Sequence, residues 1–101
     1  MNHIAAPPVI APFDSVMTSK NNERIIMLCA IKEGTHPVKI EWFKDGTPVQ
    51  SSDRIKIKGD EEDSTLSIRF SEEKDAGNYT CFAKNAFGSD SFTTQMVIQG
   101  G

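Results

Sequence analysis

Apolar residues in this chain recur at every second position, in short runs broken by turn residues, and that period of two is the strongest constraint on its fold. Ile25, Met27, Cys29 and Ile31 share one parity, as do Val38, Ile40 and Trp42. Ile55 and Ile57, Leu66 and Ile68, then Tyr79, Cys81 and Ala83 continue the pattern, and Phe92, Thr94, Met96 and Ile98 close it. No long segment carries the three-to-four spacing of an amphipathic helix, so the chain predicts an all-β domain. Polar turns separate the runs at Lys20-Asn21-Asn22-Glu23, at Glu33 to Pro37, at Gly59 to Asp63 and at Asn85-Ala86-Phe87-Gly88. Asp45-Gly46 is a strong hairpin signal, with a short strand expected around Pro48-Val49. Pro7, Pro8 and Pro12 lack the N–H that a central strand must donate. Val9, Ile10 and Phe13 still need burial, which predicts an edge strand for this first segment. About eight short strands with frequent turns predict two sheets packed face to face.

Composition narrows the function. Of 101 residues, 11 are basic and 14 acidic, a net charge of −3. Nucleic-acid binding calls for a basic excess, so it is disfavoured. No apolar run approaches the ~18–20 residues of a membrane span. Met1-Asn2-His3 opens no secretory leader, which leaves a cytosolic protein or a piece of a longer secreted chain. Residues 1–6 are expected to be a disordered or extraneous start, 7–99 the domain and 100–101 a tail or linker.

Catalysis finds no constellation. His3 falls in the start and His36 in a turn, and no Gly-rich phosphate loop is present. Neither an enzyme, a cofactor nor a small-molecule substrate is expected. Cys29 and Cys81 form no CxxC and have no histidine at zinc spacing, so no metal site is expected. The acidic run Asp60 to Asp63 lacks the alternating ligand spacing of a calcium loop and reads as a solvated turn. The cysteines are either a disulfide or two buried thiols. A bridge closes 51 intervening residues, and loop-closure entropy makes it worth roughly 4 kcal/mol.

Three features coincide. Trp42 follows Cys29 by 13 residues, Tyr79 precedes Cys81 by two, and Asp75-Ala76-Gly77-Asn78-Tyr79-Thr80-Cys81 fits D-x-G-x-Y-x-C. Over almost its whole length the chain resembles the immunoglobulin superfamily. The resemblance implies a two-sheet Greek-key sandwich with Cys29 and Cys81 bridging the sheets, Trp42 packed on the bridge and Tyr79 forming a tyrosine corner. It also implies an Arg54–Asp75 pair, and Leu66 joins Trp42 and Tyr79 in the expected core. Ser71 departs from the pattern, which favours Val or Leu there, and Phe70 is expected to swing in and fill the space. The short Trp42-to-Ile55 stretch and the ending Ala83-Lys84-Asn85-Ala86-Phe87-Gly88 resemble the I-set subtype. Pro7-Pro8-Val9-Ile10-Ala11-Pro12-Phe13 resembles the opening of a variable domain of Dscam-type cell adhesion molecules, the membrane-distal first domain in shortened arthropod forms. Those are single-pass surface proteins that bind identical isoforms on opposing cells, which implies an extracellular domain, tied to a membrane only through its parent chain.

Parity supplies a candidate surface. If Cys29 points inward, Ile26 and Leu28 point out, where a solvated strand usually carries Thr or Ser. Thr65, Ser67 and Arg69 are expected beside them on the next strand, and Lys56 and Lys58 on the one after. Because a two-fold contact pairs a patch with itself, these cations can meet the partner's acids at Asp60, Glu61, Glu62 and Asp63. The expected partner is a second copy, in an antiparallel homodimer. A receptor for a different protein, or a spacer unit of a cytosolic muscle-type protein with reduced cysteines, are the alternatives. On the other sheet, Phe43 and Phe82 are expected outward as a cross-strand pair, and Asn78-Tyr79-Thr80 is a glycosylation sequon.

Overall fold

The structure is a computed structural model and describes residues 4–100. The chain runs through β1 (Val9–Ile10), β2 (Val16–Lys20), β3 (Ile25–Glu33), β4 (Lys39–Lys44), β5 (Thr47–Pro48), β6 (Ile55–Gly59), β7 (Asp63–Ile68), a single 3₁₀ turn at Glu73–Asp75, β8 (Gly77–Asn85) and β9 (Gly88–Gln99). One sheet has the order β1-β3-β7-β6 and the other β2-β9-β8-β4-β5. Every contact is antiparallel except β2 on β9.

The first segment is not one edge strand but two, one on each sheet. Ala11 donates its N–H to the Ala30 carbonyl on the first sheet, and Gln95 donates to the Ser15 carbonyl on the second. Pro12 lies between these rungs, where no ladder donor is required. Val9 is solvent-exposed, contrary to expectation. β1 is two residues long, and Ile10 takes the single inward position. The start at 1–6 falls partly outside the described residues. Ala6 itself is tied in, donating to Thr35 Oγ1 at 2.9 Å and accepting from Asn85 Nδ2 at 2.7 Å.

The period-two residues meet between the sheets as expected. Ile25, Met27, Leu66, Ile68, Tyr79, Ala83 and Met96 are buried, with Phe13, Ile31, Ile40, Ile55, Ile57, Phe92 and Ile98 packed against them. Cys29 and Cys81 form the inter-sheet disulfide. Trp42 sits opposite Cys81 across β4 and β8, and its indole N–H donates to Ser64 Oγ at 2.9 Å. The Tyr79 hydroxyl donates to the Asp75 carbonyl at 2.7 Å, and burial pushes this phenol well above its ordinary pKa. Arg54 grips Asp75 with two hydrogen bonds of 2.7 and 2.9 Å. Burial alone would raise the Asp75 pKa, but the Arg54 guanidinium and the Glu72 N–H outweigh it and hold the carboxyl below the usual range.

Phe70 does not fill the corner below Ile68. Phe70 stays 54% exposed and Ser71 is the buried residue. The Ser71 hydroxyl donates to the Lys20 carbonyl at 2.8 Å and accepts from the Glu23 N–H at 3.1 Å. The Ser71 main chain adds two bonds to Asn22 and Glu23. A polar plug replaces the apolar one because the β2–β3 turn presents unpaired backbone groups there, which an aliphatic side chain cannot satisfy.

Candidate functional site: the outer face of the four-stranded sheet

Pairing registers align the outward residues of the first sheet in rungs. Ile26 on β3 faces Ser67 on β7, which faces Lys56 on β6. Leu28 faces Thr65, which faces Lys58. The result is three parallel columns: apolar, hydroxyl and lysine. Ile26 is 50% and Leu28 52% exposed. β1 does not cover them, because it pairs only with Ile31 and Glu33 at the far end of β3.

The face is a shallow groove lined by Ile26, Lys56, Lys58, Thr65, Ser67 and Arg69, with Leu28, also expected on this surface, standing beside it. Arg24 and Phe70 also line it, and sequence reasoning missed both. Arg24 shares the parity of Ile26 and was legible from it, just before β3 begins. Phe70 was hidden by the expectation that it turned inward. Its ring lies 5.7 Å from the Arg69 guanidinium carbon, so cation and aromatic form one surface.

Charge is unequally distributed along the strands. Arg24 and Arg69 flank the rung that joins Ile25, Ile68 and Ile55. At the other end, Asp60 to Glu62 cap the β6–β7 hairpin and Asp63 opens β7. The Asp60 carboxylate accepts from the Glu62 N–H at 2.7 Å and, more weakly, from that of Asp63, which lowers its pKa and keeps it charged. His36 approaches Glu61 at 3.3 Å, also at this end. Among the described residues no three His, Cys, Asp or Glu side chains gather as a metal site, and the acidic turn is organised by its own backbone.

On the five-stranded sheet, Phe43 and Phe82 meet edge to face with ring centroids 6.4 Å apart. That geometry is a favourable aromatic contact which stabilises the sheet itself. Asn78 lies on the same face, exposed. No residue set on either sheet combines a nucleophile, a base and an oxyanion donor.

The fold is a disulfide-bridged β-sandwich whose four-stranded sheet presents a mixed apolar and charged outer face. The chain belongs to the immunoglobulin I-set family, whose model matches residues 8–98. It is similar to mouse cell adhesion molecule DSCAML1, 33% identical over 99 residues, covering 96% of this chain and 5% of that protein. It is also similar to mouse Hemicentin-2, 34% identical over 92 residues, covering 91% of this chain and 2% of that protein. The chain thus spans about a twentieth or less of the curated relatives it matches. Among solved structures, the Dscam1 Ig7 domain, isoform 5, superposes with a TM-score of 0.85 at 28% identity, covering 92% of this chain and 97% of that one. The titin I-band fragment I67-I69 superposes equally well, with a TM-score of 0.85 at 29% identity, covering 93% of this chain and 33% of that one.

Proposed function

We propose that this domain is an adhesion module of a single-pass cell-surface protein, binding an identical copy on an opposing cell through an antiparallel contact of the four-stranded sheet. The observation that carries this reading is the exposed Ile26–Leu28 column, set between cations at one end of the face and acids at the other. A two-fold axis lying in the interface plane, perpendicular to the strands, lays the Arg24–Arg69 end of one copy on the Asp60–Asp63 end of its partner. It also stacks the apolar columns at the centre, where binding energy concentrates. A parallel contact would set like charges on each other. The likeness to cell adhesion molecules supports the reading, and the disulfide suits an oxidising compartment.

The titin likeness favours a second reading, a spacer unit in which the same face is free. Sedimentation equilibrium separates the two. The adhesive domain shows a reversible monomer–dimer equilibrium, and Ile26→Asp weakens it at least about 30-fold with the fold intact. Arg24→Glu with Arg69→Glu, or Asp60→Lys with Glu62→Lys, each abolish self-association, and a mixture of the two variants restores a heterodimer. A wild-type domain that stays monomeric throughout overturns homophilic binding and leaves the spacer, or a receptor for a different protein.

A further inference from the structure

Asn78-Tyr79-Thr80 is the single Asn-x-Ser/Thr triplet of the sequence, and the adhesive face makes no use of it. Asn78 is the second residue of β8 and is exposed on the outer face of the five-stranded sheet. Its main chain is held from both sides by Asp45. The Asn78 N–H donates to Asp45 Oδ1 at 2.9 Å, and its carbonyl accepts from the Asp45 N–H at 2.8 Å. Its carboxamide makes no hydrogen bond among the described residues. Asn85, at the other end of β8, is the contrast. It is buried, and its carboxamide nitrogen is spent on the carbonyls of Ala6 and Thr35. The fold therefore holds one asparagine by its side chain and leaves the other side chain free.

We infer that Asn78 is an N-glycosylation site and that its oligosaccharide closes the outer face of the five-stranded sheet to protein partners. The inference rests on the cell-surface placement proposed above. The donor is a lipid-diphosphate-linked oligosaccharide. The Asn78 carboxamide nitrogen bonds to the anomeric carbon and gives up one proton, the carbon–oxygen bond to the diphosphate breaks, and the lipid diphosphate leaves. The Thr80 hydroxyl completes the acceptor triplet. In the folded domain it bonds Thr93 Oγ1 at 2.8 Å across the β8–β9 ladder, so it serves both the acceptor and the sheet.

Phe43 faces Thr80 across the β4–β8 ladder, about 7 Å along the strand from Asn78. Phe82 follows two residues later. A mobile, hydrated oligosaccharide rooted at Asn78 sweeps over this aromatic pair and denies it to a large partner. The face with Ile26 and Leu28 lies on the opposite sheet, out of the glycan's way. Glycosylation thus makes a two-faced sandwich into a one-faced module.

The test is secretion of the full chain from a eukaryotic host, followed by enzymatic deglycosylation and peptide mass spectrometry. The expected result is one glycan, its removal converting Asn78 to Asp. The modification is lost in Asn78→Gln and in Thr80→Ala and kept in Thr80→Ser. Secreted, folded protein with an unmodified Asn78 overturns the site. Sedimentation equilibrium of the glycosylated wild type against Asn78→Gln tests the second half. Equal self-association supports a glycan rooted away from the adhesive sheet. A glycosylated monomer beside a dimeric Asn78→Gln overturns the choice of adhesive sheet and leaves the glycan standing. Monomers in both forms reject homophilic binding alone.

Discussion

Ser71 shows how a single hydroxyl can define a corner of this fold. Two side-chain bonds join it to the β2–β3 turn at Lys20 and Glu23. Ser71→Ala leaves those groups unpaired and costs about 1–2 kcal/mol. Ser71→Val, which restores the residue type the family pattern favours, destabilises as well, since it adds bulk to a full site without replacing either bond. Urea unfolding checks both, with a lower midpoint at unchanged slope as the expected result. Asp75 makes a pH-dependent contribution. Its carboxyl titrates lower in the folded chain than in the unfolded one, so its stabilisation is complete above the unfolded value of about 3.9. That stabilisation fades as pH falls below this value and through the folded one. The stability difference between wild type and Asp75→Asn shrinks accordingly between about pH 5 and pH 2, measured by thermal unfolding across that range.

Among the elements, the β6–β7 hairpin carries most of the chemistry of the proposed interface. It supplies the lysine and hydroxyl columns along its strands and the acids at its tip. Gly59 makes the turn possible, with φ at +155°, and a Cβ there would sit 2.2 Å from the Asp63 carbonyl oxygen. Gly59→Ala must spread the strands, at a cost of about 2 kcal/mol or more. Because the acidic tip moves with them, self-association falls beyond what lost stability explains. Calorimetry and sedimentation of the same variant separate the two effects. β3 is the other functional element. Its inward residues are the core and its outward residues the proposed contact, so one strand's alternation serves both. The N-terminal strands are different. Proline spacing marks residues 7–13 as an edge, but splitting the edge between two sheets depends on partners at Ala30 and Gln95, which no local pattern reveals.

For the whole molecule the Cys29–Cys81 bridge is the largest single constraint. It joins β3 of one sheet to β8 of the other across 52 positions of chain. Cys29→Ala with Cys81→Ala loses about 4 kcal/mol by loop-closure entropy, a large share of the ~5–15 kcal/mol total of such a domain. Scanning calorimetry is expected to show a Tm lower by about 15–30 °C. What could be read directly from the residues is the facing of each side chain. Strand alternation is a local property, and Ile26, Leu28, Lys56, Lys58, Thr65 and Ser67 face outward as parity requires. The core marked by Trp42, Leu66, Tyr79 and the cysteine pair was equally legible, since each lies on an inward position. Phe70 and Ser71 were not legible in this way. Their roles depend on which distant turn or strand lies alongside, as when Ser71 meets Lys20 across 51 positions of chain. The separation of cations and acids to opposite ends of one face has the same origin. Parity assigns each residue a side of its strand, but only the pairing of β3, β7 and β6 in register decides which charges share an end.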